Sequence, residues 1–180
     1  MCVITNRVNR TLIYLCRGAG DVPDEVNAAV WFSVPCDHAA ASSRLAEGSN
    51  KIYMKRFMRL MGHKVRLQAE NFPDEFPCDD YHRLKTFADF VGRYTAPLHG
   101  FRDVHHYWQS CISSQYLDLI RVPAWIVNAR NDPFLSPSCF PDVPTHDNSL
   151  VTLISPQSGG HCGFSSVGKD QVYCSECLAV

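Results

Sequence analysis

The chain has 180 residues, 46% hydrophobic and 11% aromatic, enough to bury a core within one domain and too apolar for general disorder. Seventeen basic and eighteen acidic side chains leave a formal charge of -1. That balance provides no global field to gather nucleic acid, so an anionic partner needs a local basic patch. No apolar stretch reaches the roughly 18 residues that span a bilayer and the first residues lack a signal-peptide pattern, so a cytoplasmic location is expected.

In chain order, residues 10–17 read as the end of a helix stopped by Gly18 and Gly20. Residues 27–34 form a nearly continuous apolar run closed by Pro35, the pattern of a strand buried on both faces. From there to Arg121 the periodicity is helical. Leu84, Phe87, Ala88 and Val91 share one helix face, ended by Pro97 and Gly100, and Val104, Tyr107, Trp108 and Cys111 repeat the pattern. Residues 51–66 carry Lys51, Lys55, Arg56, Arg59, Lys64 and Arg66 without an acidic residue, interleaved with Ile52, Tyr53, Met54, Phe57, Met58, Leu60 and Met61. Such a basic amphipathic helix either packs on its own domain with its charges in water or makes peripheral membrane contact. The acidic Asp74, Glu75, Asp79 and Asp80 just downstream are expected to answer part of its charge.

Two further strand-like runs follow, at 124–129 after Pro123 and at 150–154 ahead of Pro156. The expected fold class is therefore α/β, with about three predominantly parallel strands and a helical cap inserted at approximately 37–120.

The candidate chemistry lies beyond the last two strands. Asn131-Asp132-Pro133-Phe134 follows the first of them and Gly159-Gly160-His161-Cys162-Gly163-Phe164 the second. Open α/β sheets place ligands at the carboxyl ends of their strands, and Gly159 and Gly160 allow positive φ where a loop must swing an imidazole over the sheet edge. Asp132 and His161 can then meet, Asp132 accepting from Nδ1 and leaving Nε2 to take a proton from a nucleophile. No Gly-x-Ser-x-Gly elbow occurs anywhere in the chain.

Nine cysteines, an odd number scattered beside apolar residues, read as reduced thiols. Cys174 and Cys177 have the spacing of half a zinc site, which His161 and Cys162 could complete. That alternative stays open beside an acid–base pair needing neither metal nor organic cofactor.

Ser33-Val34-Pro35-Cys36-Asp37, Ile52-Tyr53-Met54-Lys55-Arg56-Phe57, Thr95-Ala96-Pro97-Leu98-His99-Gly100-Phe101 and the two motifs above together resemble the YheT-like branch of the α/β-hydrolases, carboxylesterases related to acylglycerol and phospholipid hydrolases. The resemblance runs over nearly the whole chain. It implies that residues 1–180 form the C-terminal part of one α/β-hydrolase domain with a helical cap. It also implies Asp132 as catalytic acid, His161 as catalytic base, and a small ester or acylglycerol-like substrate. Members carry an elbow of the form Gly-x-Ser-x-Gly-Gly-Asn. Aligning residues 12–15 with the helix after that elbow sets Thr5 on its nucleophile, among Val3, Arg7 and Val8, a crowded and β-branched setting unsuited to the turn. Thr5 is given no catalytic role, and the strand at 27–34 is expected to lack a partner along one edge. A truncated or inactive hydrolase is expected, or alternatively a non-catalytic interaction protein on a hydrolase scaffold.

Overall fold

Runs of β-branched and aromatic residues build a parallel sheet in this computed structural model, which describes residues 2–3, 12–15, 22–140, 148–161 and 164. The strands are β1 (Cys2–Val3), β2 (Ala28–Phe32), β3 (Ala124–Val127) and β4 (Val151–Ile154), lying in the order β1-β2-β3-β4. Ala29 pairs with Ala124 and Phe32 with Val127, while Ala124 pairs with Val151 and Val127 with Ile154. β2 does have a neighbour on its second side, where Cys2 and Val3 pair with Ala28 and Ala29. The expected bare edge is thus corrected over two residues, because a two-residue strand is too short to leave a periodic signal.

Both faces of the sheet are covered, as continuous apolar strands require. Ala29, Trp31, Ala124, Ile126 and Val151 pack on one side with Leu12, Leu15, Leu117 and Ile120. Val30, Val127, Ala129 and Phe164 gather on the other, with Phe32, Trp125 and Ile154 against them. Full burial of a side chain such as Ile126 contributes roughly 1.5–3 kcal/mol. Residues 12–15 are helical, and Cys78 and Cys139 are free thiols.

The chain divides into two compact units, one of Met1–Ala40 with Cys111–Val180, which holds the sheet, and one of Ala41–Ser110. Two helices contain the unit boundaries, α1 (His38–Leu45) and α5 (Val104–Cys111). Within the second unit lies α2 (Lys51–Ala69), which buries Met54, Met58, Gly62 and Val65 at helical spacing. A second helical stretch runs as α3 (Phe87–Phe90), a wider π turn (Val91–Thr95) and α4 (Ala96–Leu98). It starts at a reciprocal cap in which Thr86 accepts from the Asp89 N–H and Asp89 accepts from the Thr86 N–H. Leu84 therefore lies outside the helix in extended backbone, and the buried residues are Val91, Tyr94 and Ala96. The sequence-based face shifts because the cap, absent from a hydrophobic count, decides where the first turn begins.

An aromatic cluster fills this unit. The rings of Phe76 and Tyr94 stack at 6.1 Å, Tyr94 lies 6.3 Å from Tyr81, and the Tyr81 hydroxyl donates to the carbonyl of Met58 at 2.6 Å. No helix among the described residues is long and apolar enough to cross a membrane.

The Asn128 side chain is wholly buried at the sheet's carboxyl edge. Asn128 accepts from the Val34 N–H at 2.8 Å and donates to the carbonyls of Val34 at 3.0 Å and Cys139 at 2.9 Å. Replacing it leaves the Val34 N–H and the Cys139 carbonyl without this partner, each costing about 1–3 kcal/mol less whatever water recovers, while the Val34 carbonyl keeps the Cys36 N–H. Asn128→Ala is expected to lower stability by roughly 2–4 kcal/mol in urea unfolding followed by tryptophan fluorescence. A loss under 0.5 kcal/mol, about the size of an ordinary surface substitution, would show that the amide does not hold this edge.

Candidate active site

Three loops leave the carboxyl ends of β2, β3 and β4, and hydrogen bonds join them. After β2, Ser33 donates its backbone N–H to Val127 at 2.9 Å. After β3, Asn128 and Arg130 donate theirs to Ile154 at 3.0 Å and Pro156 at 2.8 Å, extending the ladder past the last paired strand residues. The chain then turns, the Asp132 N–H donating to Ala129 at 3.1 Å. The Asp132 carboxylate turns inward and accepts from the Phe134 N–H at 2.9 Å through Oδ1.

The neighbouring loop brings the imidazole to this carboxylate. Nδ1 of His161 lies 2.9 Å from Oδ2 of Asp132, whose side chain is fully buried while that of His161 is 37% exposed. An ionised Asp132 can only accept, so it assigns the proton to Nδ1 and leaves Nε2 as the ring nitrogen that can exchange one. The Phe134 ring meets the imidazole edge-on at 4.8 Å between centroids, limiting its rotation.

The loop is fixed by residues whose part was not evident from sequence. The Asn131 side chain accepts from the backbone N–H groups of Gly159 at 3.0 Å and Gly160 at 2.9 Å. Gly160 has φ of +58°, as the Gly-Gly pair suggested, but Gly159 serves another need. A Cβ on Gly159 would fall 2.7 Å from the Phe164 ring and 2.9 Å from Cβ of Ala129, so glycine there permits close packing. Ser33 holds the loop from the other side. Its hydroxyl donates to the carbonyl of His161 at 2.5 Å, its side chain is buried, and its φ is +54°. Such a conformation costs a residue with a Cβ about 1–3 kcal/mol and collects at functional sites. Of these residues only the Gly159–Gly160 pair had a part predicted from sequence.

The structure thus brings Asp132 and His161 together. Thr5, Arg7 and Val8 lie outside the described residues, as do Cys162, Cys174 and Cys177 of the zinc alternative. Among the described residues no three His, Cys, Asp or Glu side chains gather as a metal site.

No family model matches the chain. It is 27% identical over 161 residues to "Putative esterase YheT" of Escherichia coli, covering 87% of this chain and 46% of that protein. It is also 25% identical over 138 residues to Phospholipase ABHD3 of Mus musculus, covering 76% and 34% respectively. To Medium-chain fatty acid ethyl ester synthase/esterase 2 of Saccharomyces cerevisiae it is 31% identical over 81 residues, covering 45% and 18%. The fold is part of an α/β-hydrolase. The chain spans less than half the length of each of these relatives. Asp132 and His161 stand on the loops at the carboxyl ends of its parallel strands β3 and β4.

Two measurements test this geometry without an assay. A hydrogen bond from Nδ1 to a buried carboxylate is expected to give an imidazole N–H proton resonance far downfield, lost in Asp132→Ala and broadened in Asn131→Ala. Persistence of that resonance in Asp132→Ala would mean that another acceptor holds the ring. At Ser33, alanine keeps the unfavourable φ and loses the hydrogen bond, whereas glycine relieves the φ. Ser33→Ala is therefore expected to unfold about 1 kcal/mol more easily than Ser33→Gly, and equal stability would remove the argument for backbone strain.

Proposed function

We propose that this chain carries the acid and base of a carboxylic-ester hydrolase working by two-step acyl transfer. The supporting observation is a fully buried Asp132 carboxylate 2.9 Å from Nδ1 of a half-exposed His161. In such a reaction a serine hydroxyl attacks the ester carbonyl and Nε2 of His161 takes its proton. The same nitrogen returns that proton to the departing alcohol, and water then repeats the sequence to release the acid. Asp132 orients the ring and stabilises the imidazolium, while backbone N–H groups hold the oxyanion.

The substrate proposed is a small ester or acylglycerol-like molecule, consistent with the esterase and phospholipase names of the relatives. The helical unit Ala41–Ser110, inserted in sequence between β2 and β3, is proposed to select it, as a helical cap would. Peripheral membrane contact through residues 51–66 belongs to the same reading, since lipid esters are presented at a bilayer surface. No metal or organic cofactor enters this mechanism.

Without a Gly-x-Ser-x-Gly elbow among its 180 residues, the chain alone is proposed to turn over no ester. That same observation favours, as a second reading, an interaction protein on the hydrolase scaffold. The test uses p-nitrophenyl ester turnover by a longer form bearing such an elbow, beside fluorophosphonate labelling of the 180-residue chain. In the longer form His161→Ala and Asp132→Asn are expected to lower kcat by about 10³–10⁴-fold, with little change in KM. The 180-residue chain is expected to remain unlabelled, and stoichiometric labelling of Thr5 or of any serine would refute its incompetence. Full turnover by the His161→Ala form would exclude the acid–base assignment and leave the interaction reading.

A further inference from the structure

Helix α2 has one buried apolar stripe and an opposite face that mixes exposed aliphatic side chains with basic ones. Met54, Met58, Gly62 and Val65 are buried. With an advance of about 100° per residue, Ile52, Leu60 and Leu67 fall on the other side within a sector of about 100°, with the exposed Arg56 and His63 between them and Tyr53 at its edge. Ile52 is 73% exposed, and Leu60 and Leu67 are each 47% exposed. These three side chains span roughly 22 Å along the helix, at about 1.5 Å per residue.

Cations border these side chains on both sides. Lys55, Arg59 and Arg66 line one flank, Lys64 the other, and Arg56 lies among them, all exposed. No acidic residue occurs between Lys51 and Ala69. The downstream acidic residues do not answer these charges as expected: Asp80 lies 3.4 Å from Arg93 instead. Among the described residues no carboxylate forms an ion pair with Lys55, Arg56, Arg59, Lys64 or Arg66.

We propose that α2 is an interfacial helix that docks the chain on an anionic phospholipid bilayer. Ile52, Leu60 and Leu67 enter the headgroup boundary, and Lys55, Arg59 and Arg66 extend their stems along it to reach anionic headgroups. Charge complementarity selects this occupant. A one-signed basic face from which three exposed aliphatic side chains project matches a plane whose surface is uniformly negative and whose interior is apolar. The proposal specifies the membrane contact of residues 51–66 named in the proposed function, and vesicle binding reads it without ester turnover, so it and the acid–base assignment fail separately.

Vesicle flotation of the 180-residue chain tests it. The chain is expected to float with phosphatidylcholine vesicles containing phosphatidylserine and to stay at the bottom with phosphatidylcholine alone. Raising salt from 50 to 500 mM is expected to weaken binding at least tenfold, because headgroup contacts at the surface are screened. Ile52→Ser/Leu60→Ser/Leu67→Ser and Lys55→Glu/Arg59→Glu/Arg66→Glu are each expected to reduce binding at least tenfold while leaving the far-ultraviolet circular dichroism unchanged. Absence of flotation with phosphatidylserine, as an acidic protein partner would give, overturns the proposal. Equal flotation on neutral vesicles, or an aliphatic variant that binds like the parent, overturns it too. Where a triple variant loses helicity, Ile52→Ser and Leu60→Ser alone decide the aliphatic arm.

Discussion

The buried amide of Asn128 is the constraint on which the sheet's carboxyl edge depends. A side-chain amide out of water is tolerable only when its donors and acceptor are all engaged, and here both carbonyl partners and the Val34 N–H are present. By holding both polar backbone groups of Val34, Asn128 fixes where the chain leaves β2. Ser33 is then confined between a strand ladder on one side and a tethered residue on the other. Its positive φ follows from that confinement, and its hydroxyl is delivered to the carbonyl of His161.

Positioning of the acid–base pair is therefore distributed over three loops. Asn131 holds the backbone ahead of His161, Ser33 holds the carbonyl of His161, and Asp132 and Phe134 constrain its ring. Each tether is a hydrogen bond or ring contact of modest net strength, about 0.5–1.5 kcal/mol. Their value lies in removing alternatives: an imidazole fixed at both its backbone and Nδ1 keeps Nε2 in one direction. A carboxylate buried behind it cannot be replaced by water, so the interaction holds its strength despite the exposure of the ring.

Much of this was legible in the residues. Three apolar runs marked the longer strands, and two polar motifs placed just beyond them led to Asp132 and His161. The rest was not, for physical reasons that differ by element. Cys2–Val3 is too short to show a period, and its identity as a strand comes only from the partner that pairs with it. Leu84 fitted a helix face, but the Thr86–Asp89 cap set the start of the helix and left it outside. Ser33 read as part of the strand-like run 27–34. Its backbone angle is imposed by contacts from residues about a hundred positions away, which no local pattern encodes.

Helix α2 shows the converse, a local pattern that tertiary packing does not exhaust. Hydrophobic count alone would assign its apolar residues to a core, yet the buried stripe is already occupied. The Tyr81 ring lies against Gly62, so close that a Cβ there would fall 2.5 Å from it, and its hydroxyl bonds the Met58 carbonyl on the same helix. Turning the helix to bury Ile52 and Leu60 would carry Met54, Met58 and Val65 into water and expose the Tyr81 ring. Each exchange loses roughly what it gains in apolar burial and also gives up a buried hydrogen bond. The helix therefore has one stable orientation on its own unit, and the aliphatic residues left outside are fixed outside by the packing beneath them.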